Sequence, residues 1–129
     1  MRPSLPRLAA SALLVATLLL GACGGDEISV DADDPAARGA ALADARGCDS
    51  CHSVDGSSGV GPTWQDLAGS EVPLEDGTTV VADRAYLERS IREPGAQRVE
   101  GFTTQMPDVD LTDAEVADVV AYIESLAGG

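Results

Sequence analysis

Two cysteines three residues apart, followed at once by the chain's single histidine, form the segment Cys48-Asp49-Ser50-Cys51-His52. A C-x-x-C-H run reads as a site of covalent haem attachment. At that spacing two thiols can bond the two vinyl groups on one edge of a porphyrin. The next residue then offers its imidazole to the iron from the proximal face. Two other chemistries use similar residues. A redox-active dithiol needs a thioredoxin-like βαβ context, and no run of parallel strands is apparent. A zinc site normally needs four ligands, whereas Cys48, Cys51 and His52 offer three.

The sixth iron ligand is approached by elimination. A second histidine does not exist, and Met1 would leave with a leader, so Met106 is the one thioether of a processed chain. It precedes Pro107 in an irregular stretch, residues 101–110, where a loop could aim sulfur at the distal face. The other readings of Met106 are a loop hydrophobe or an open sixth position. Histidine–methionine ligation raises the reduction potential. It also keeps the same ligands in both iron states, which suits electron transfer better than catalysis.

The composition is consistent with a bound cofactor. In 129 residues the aromatic rings are Trp64, Tyr86, Phe102 and Tyr122. Small domains struggle to bury enough apolar surface, and one so poor in rings needs a staple, a metal or a cofactor. The net charge is −14, with 22 acids, eight arginines and no lysine, and Arg2 and Arg7 belong to the leader. Such a balance argues against nucleic acid or anionic lipid as a partner. It suits either solubility alone or a basic docking surface on another protein.

The leader spans residues 1–22. Arg2 and Arg7 form a positive start, and residues 8–20 are an uncharged run. That run is shorter than the roughly 20 residues a spanning helix needs and matches a secretory signal. Leu20-Gly21-Ala22-Cys23 resembles the lipobox of bacterial lipoproteins, in which the cysteine is lipidated and becomes the first residue. The alternative is an ordinary signal peptide with Cys23 a bystander. Residues 23–33 follow as an acidic, polar linker. Ten flexible residues reach about 17 Å on average, so the domain at 34–127 would stay near a membrane surface. The expected location is outside the cytoplasm, on a lipid anchor facing the periplasm or the cell exterior.

Three main helices are expected. Asp34 and Pro35 make an N-cap and first-turn pair before the alanine-rich residues 36–46. Asp83 caps a second helix running to about residue 93, stopped by Pro94. Thr112-Asp113-Ala114-Glu115 is a capping box for a last helix to about residue 126. On it Val116, Val119, Val120, Ile123 and Leu126 recur at helical spacing. Between the first two helices, Asp76-Gly77 flanked by Val72, Leu74, Val80 and Val81 suggests a small hairpin, with Pro73 confining its strand to an edge. Trp64 is expected in the core, against or beside the haem.

Taken together, GCDSCHSVDG, GVGPTWQDLAGSEVPLEDGTTV, ADRAYLERSIREPGAQRVEGF and the later Met-Pro before a helix ending AYIESL resemble the class I cytochrome c family over residues 34–126. The likeness is greatest to the cytochrome c domain fused to subunit II of bacterial haem–copper oxidases. The copper-binding domain of that subunit does not occur in this sequence, so the resemblance implies a stand-alone lipoprotein, either a separate carrier or a subunit of another complex.

The implied fold is all-α, three helices around one covalent haem c. Cys48 and Cys51 would form thioethers, and His52 and Met106 would be the axial ligands. Pro62 would offer its carbonyl to the second imidazole nitrogen. Gly39 and Tyr122 would sit where the first and last helices cross. The family often has an aromatic residue four positions after that glycine. Ala43 stands there instead, which predicts a looser crossing.

The function implied is one-electron transfer in a membrane-associated respiratory chain, without enzymatic bond chemistry, a terminal oxidase being one candidate acceptor. The competing readings are a haem peroxidase or gas sensor, and a dithiol lipoprotein without haem.

Overall fold

The computed structural model describes residues 32–128. The signal peptide, Cys23 and all of the linker before Ala32 lie outside them. Helix α1 covers Pro35–Ala45. Its start is fixed as the sequence implies: Asp34 Oδ1 accepts from Ala36 N at 2.9 Å, and Pro35 occupies the first turn, where an N–H would have no helical partner. A 3₁₀ turn, Cys48–Ser50, follows almost at once.

Strands β1 (Glu71–Pro73) and β2 (Thr79–Val81) pair antiparallel, with Val72 opposite Val80. The turn is held by Asp76, whose Oδ1 accepts from the Thr78 amide at 2.9 Å and hydroxyl at 2.6 Å. In a two-stranded ribbon Pro73 forfeits little by lacking an N–H. Its carbonyl accepts from Glu100 N at 2.9 Å. The segment bearing Arg98 and Glu100 is thereby stitched to the hairpin, and Leu74 bridges Val99.

Helix α2 (Arg84–Arg92) is capped by Asp83, which accepts from Tyr86 N. Helix α3 (Asp113–Ser125) opens on the full capping box: Glu115 N donates to Thr112 Oγ1, and Glu115 Oε2 accepts from Thr112 N. Arg84 at the start of α2 pairs with Glu124 near the end of α3 at 2.7 Å. Arg92 at the end of α2 pairs with Asp113 at the start of α3 at 2.9 Å. The two helices therefore run antiparallel.

The core sits between α3, α2 and the hairpin. Val116, Val119, Val120 and Ile123 bury the α3 stripe, Leu87 and Ile91 that of α2, and Val72 and Leu74 come from the hairpin.

The crossing of α1 with α3 is close. A Cβ on Gly39 would overlap the Asp118 carbonyl and lie 2.9 Å from Tyr122 Cβ, so only glycine allows this approach. Next to it in sequence, Arg38 grips the Asp118 carboxylate with two bonds, Nε–Oδ2 2.9 Å and Nη2–Oδ1 2.7 Å. That bidentate fit adds direction to the pairing. Ala43 is only 2 % exposed, so the crossing is not left open at that position. The aromatic neighbour of Tyr122 is Trp64, arriving from the loop after the Cys–Cys–His segment, with centroids 6.0 Å apart and planes at 88°.

Candidate haem site

A cleft of about 230 Å³ opens between the 3₁₀ turn, the loop at residues 60–64, helix α2 and the irregular stretch before α3. Cys48, Cys51, His52, Pro62 and Met106 all line it. These residues span much of the domain's length, and the fold brings them to one wall-and-floor arrangement.

His52 is held from several directions. Its backbone N–H donates to the Cys48 carbonyl at 3.0 Å. Its Nδ1 lies 2.8 Å from the Pro62 carbonyl oxygen. A carbonyl can only accept, so Nδ1 carries the proton and Nε2 keeps its lone pair for a metal. Burial pushes the imidazole below its usual pKa, against the opposing pull of the Pro62 carbonyl. Burial thus favours the neutral ring, the form that ligates, and the Pro62 carbonyl selects its Nδ1–H tautomer.

Two further residues fit against the imidazole. Gly61 packs so near that a Cβ there would stand 2.7 Å from His52 Cε1 and 3.0 Å from Nδ1. Trp64, 6 % exposed, stacks on the ring with centroids 5.0 Å apart and planes 18° from parallel. The loop carrying both is pinned by Trp64 N donating to Ser53 O at 2.8 Å and Gly61 N to Cys51 O at 2.9 Å.

The cysteines are partly exposed free thiols. Burial raises the pKa of Cys48, whereas a working redox dithiol needs a thiolate favoured by its surroundings. Among the described residues no three His, Cys, Asp or Glu side chains gather as a metal cage, so Cys48, Cys51 and His52 do not make a zinc site.

The cleft fits a haem in its chemistry. It offers two thiols, a neutral imidazole, a thioether and apolar walls from Leu67, Leu87, Ile91 and Phe102. The fully charged side chains on its lining are Arg46 and Arg98, of the sign that suits a ligand bearing carboxylates. A sequence profile of the family described as Cytochrome c matches residues 36–127. The chain belongs to the cytochrome c family. Its cofactor is covalently bound haem c, as the Cys48–Cys51–His52 segment within that match indicates.

Cytochrome cH from Methylobacterium extorquens has a similar structure, with a TM-score of 0.50 and 25 % identity over 70 % of this chain and 97 % of that one. No curated protein matches the chain. The three helices, the covalent haem and the small hairpin expected from the sequence thus agree with the family and the fold.

The cytochrome also uses residues that sequence patterns do not single out. Gly61 and Pro62 are neighbours. A glycine directly before the proline that supplies a carbonyl was the available signal of a close approach to His52. Asp66 has φ 54°, a conformation uncommon outside glycine. Its N–H donates to Leu126 O at 3.2 Å, and its Oδ1 accepts from Gly128 N at 2.8 Å. It thereby ties the haem-side loop to the end of α3, and nothing in the local sequence announces it. Among the described residues no helix is long and apolar enough to cross a membrane.

Proposed function

We propose that this cytochrome is a mono-haem, one-electron carrier of a membrane-associated respiratory chain. In this reading Cys48 and Cys51 hold the porphyrin, and His52 and Met106 are its axial ligands. Residues 1–22 are the export signal, Cys23 carries the lipid, residues 23–33 are the tether and residues 34–127 form the redox domain. It works on the outer side of a bacterial membrane. A membrane complex with a basic docking surface is its partner, and a terminal oxidase is the candidate acceptor.

The observation that carries the reading is the gathering of one imidazole, one thioether and two thiols on a single cleft, with the imidazole already in its ligating tautomer through Pro62. Bound there, haem c supplies one-electron chemistry between ferric and ferrous iron. The chain's part is to hold ligands and exclude water. Pro62 keeps the His52 proton on Nδ1, and the apolar walls of α2 keep the pocket dry. Met106 would offer the iron a soft sulfur, which favours the reduced state. A filled sixth position suits a carrier and not a peroxidase or gas sensor.

The docking reading rests on charge. Arg38, Arg46, Arg84, Arg89, Arg92 and Arg98 each already pair with a carboxylate of the same chain. The acid surplus therefore reaches solvent, and exposed Asp49 and Asp108 stand next in sequence to cleft-lining residues. Opposite charges speed encounter, and salt weakens that effect.

The test is a visible spectrum of the purified holoprotein followed by stopped-flow oxidation of its reduced form by native membranes. A low-spin ferric spectrum and an oxidation rate falling with ionic strength are expected. A high-spin ferric iron, or rapid binding of an added ligand by the reduced protein, would favour the enzyme or sensor. A rate insensitive to salt would remove the basic docking surface.

A further inference from the structure

The ring of Trp64 lies nearly parallel to His52 and meets Tyr122 edge-on. This places one indole between the metal-facing imidazole and the α1–α3 crossing. We propose that Trp64 is a positioning residue that fixes the plane of the His52 ring and, through its π face, favours the ferric state of the bound haem. The proposal rests on His52 being an axial ligand.

A hydrogen bond from Nδ1 to Pro62 fixes one point of the imidazole and leaves rotation about the axis through that bond. Gly61 limits the Cε1 side, and the stacked indole limits the ring's tilt. Trp64 is itself immobilised: it is buried, its amide is bonded to Ser53, and its ring packs perpendicular to that of Tyr122. The stack also acts electrostatically. An imidazole bonded to ferric iron carries more positive charge than one bonded to ferrous iron. An indole face is the aromatic surface that attracts positive charge most strongly. The stack therefore stabilises the oxidised form more than the reduced form. Ala43 makes this arrangement readable. With no aromatic residue on α1 to face Tyr122, the indole on the loop supplies that contact, so one side chain serves both the helix crossing and the ligand.

The experiment compares the haem-loaded wild type with Trp64→Phe, Trp64→Leu and Trp64→Met. The readouts are the reduction potential and the proton NMR pattern of the haem methyls in the ferric state, which reports the orientation of the axial imidazole. Trp64→Phe keeps a stacked ring and should keep the wild-type methyl pattern. Trp64→Leu should alter that pattern and shift the ferric–ferrous ratio at fixed poise about fivefold toward ferrous, as expected for loss of a partly desolvated cation–π contact. That shift is about 40 mV upward for one electron. Trp64→Met is unbranched and flexible, has no π face and should follow Leu, which keeps the test valid should the branched side chain load haem poorly.

An unchanged methyl pattern and potential in the Leu and Met variants would overturn the proposal while leaving His52 as ligand. A lowered potential would also overturn it, since water entering a vacated space stabilises ferric iron. A wild-type protein that carries no covalent haem would instead overturn the reading of His52 on which this one stands.

Discussion

Trp64 and Tyr122 pack edge to face, with centroids 6.0 Å apart and planes at 88°, so the aromatic partner at the α1–α3 crossing comes from the haem loop and not from α1. Edge-to-face pairs contribute about 0.5–1.5 kcal/mol beyond their buried area. A double-mutant cycle on Trp64→Leu and Tyr122→Leu, followed by chemical denaturation of the holoprotein, should return a coupling of about that size. Additive effects of the two substitutions would show that the rings are merely neighbours.

Gly61→Ala tests the close approach to the ligand. The added Cβ would sit 2.7 Å from His52 Cε1, and the obstructing atoms belong to a ring held by a hydrogen bond, so the ring must move. The expected outcome is a lower yield of covalent haem and a shifted potential in what does form. Strain from overpacking of this kind costs about 1–3 kcal/mol. Wild-type haem content and potential in G61A would show that the loop simply yields.

The pair Arg38–Asp118 gives the fold a pH dependence with a definite sign. The guanidinium bonded to Asp118 holds its carboxyl below the usual carboxylate range. The unfolded chain therefore takes up a proton on Asp118 more readily than the folded one, and stability falls as pH drops. The contribution is complete above the ordinary value of 3.8 and is lost as pH falls through the lowered one. Thermal melts of the holoprotein should show Asp118→Asn less stable than wild type at neutral pH, with the gap closing in acid below that range. The pair is solvent-exposed on the arginine side, so the gap should be small. A constant gap from pH 7 to pH 3 would contradict this assignment.

Met106→Ala should leave haem attached, because both thioethers come from Cys48 and Cys51. The potential should drop, since the sulfur's preference for ferrous iron is lost. We expect more than one tenfold step in the ferric–ferrous ratio, each about 59 mV. An unchanged potential would mean that another group holds the sixth position.

Much of this cytochrome was legible in its sequence because local chemistry dictates it. Asp34, Asp83 and the Thr112–Glu115 box mark helix starts, since each supplies an acceptor for an otherwise unpaired N–H. The Asp76–Gly77 turn with its apolar flanks marks the hairpin. The Cys48–Cys51–His52 spacing is a chemical requirement of one porphyrin edge, and Met106 lines the same cleft.

What was not legible depends on contacts between distant segments. No periodicity reveals that Trp64 lies flat on His52, that Gly61 touches the same ring, or that Asp66 locks the end of α3. What packs beside the crossing at Ala43 was not legible for the same reason. The aromatic neighbour of Tyr122 comes from a loop whose path is set by backbone bonds to the carbonyls of Cys51 and Ser53.

The central claim is one haem bonded through Cys48 and Cys51. It is tested most directly by the intact mass, under denaturing conditions, of the protein made in a host competent for cytochrome c maturation. The account predicts a chain heavier by one haem, an increment that disappears in the Cys48→Ala, Cys51→Ala double variant. A chain of haem-free mass with both thiols open to alkylation would contradict it.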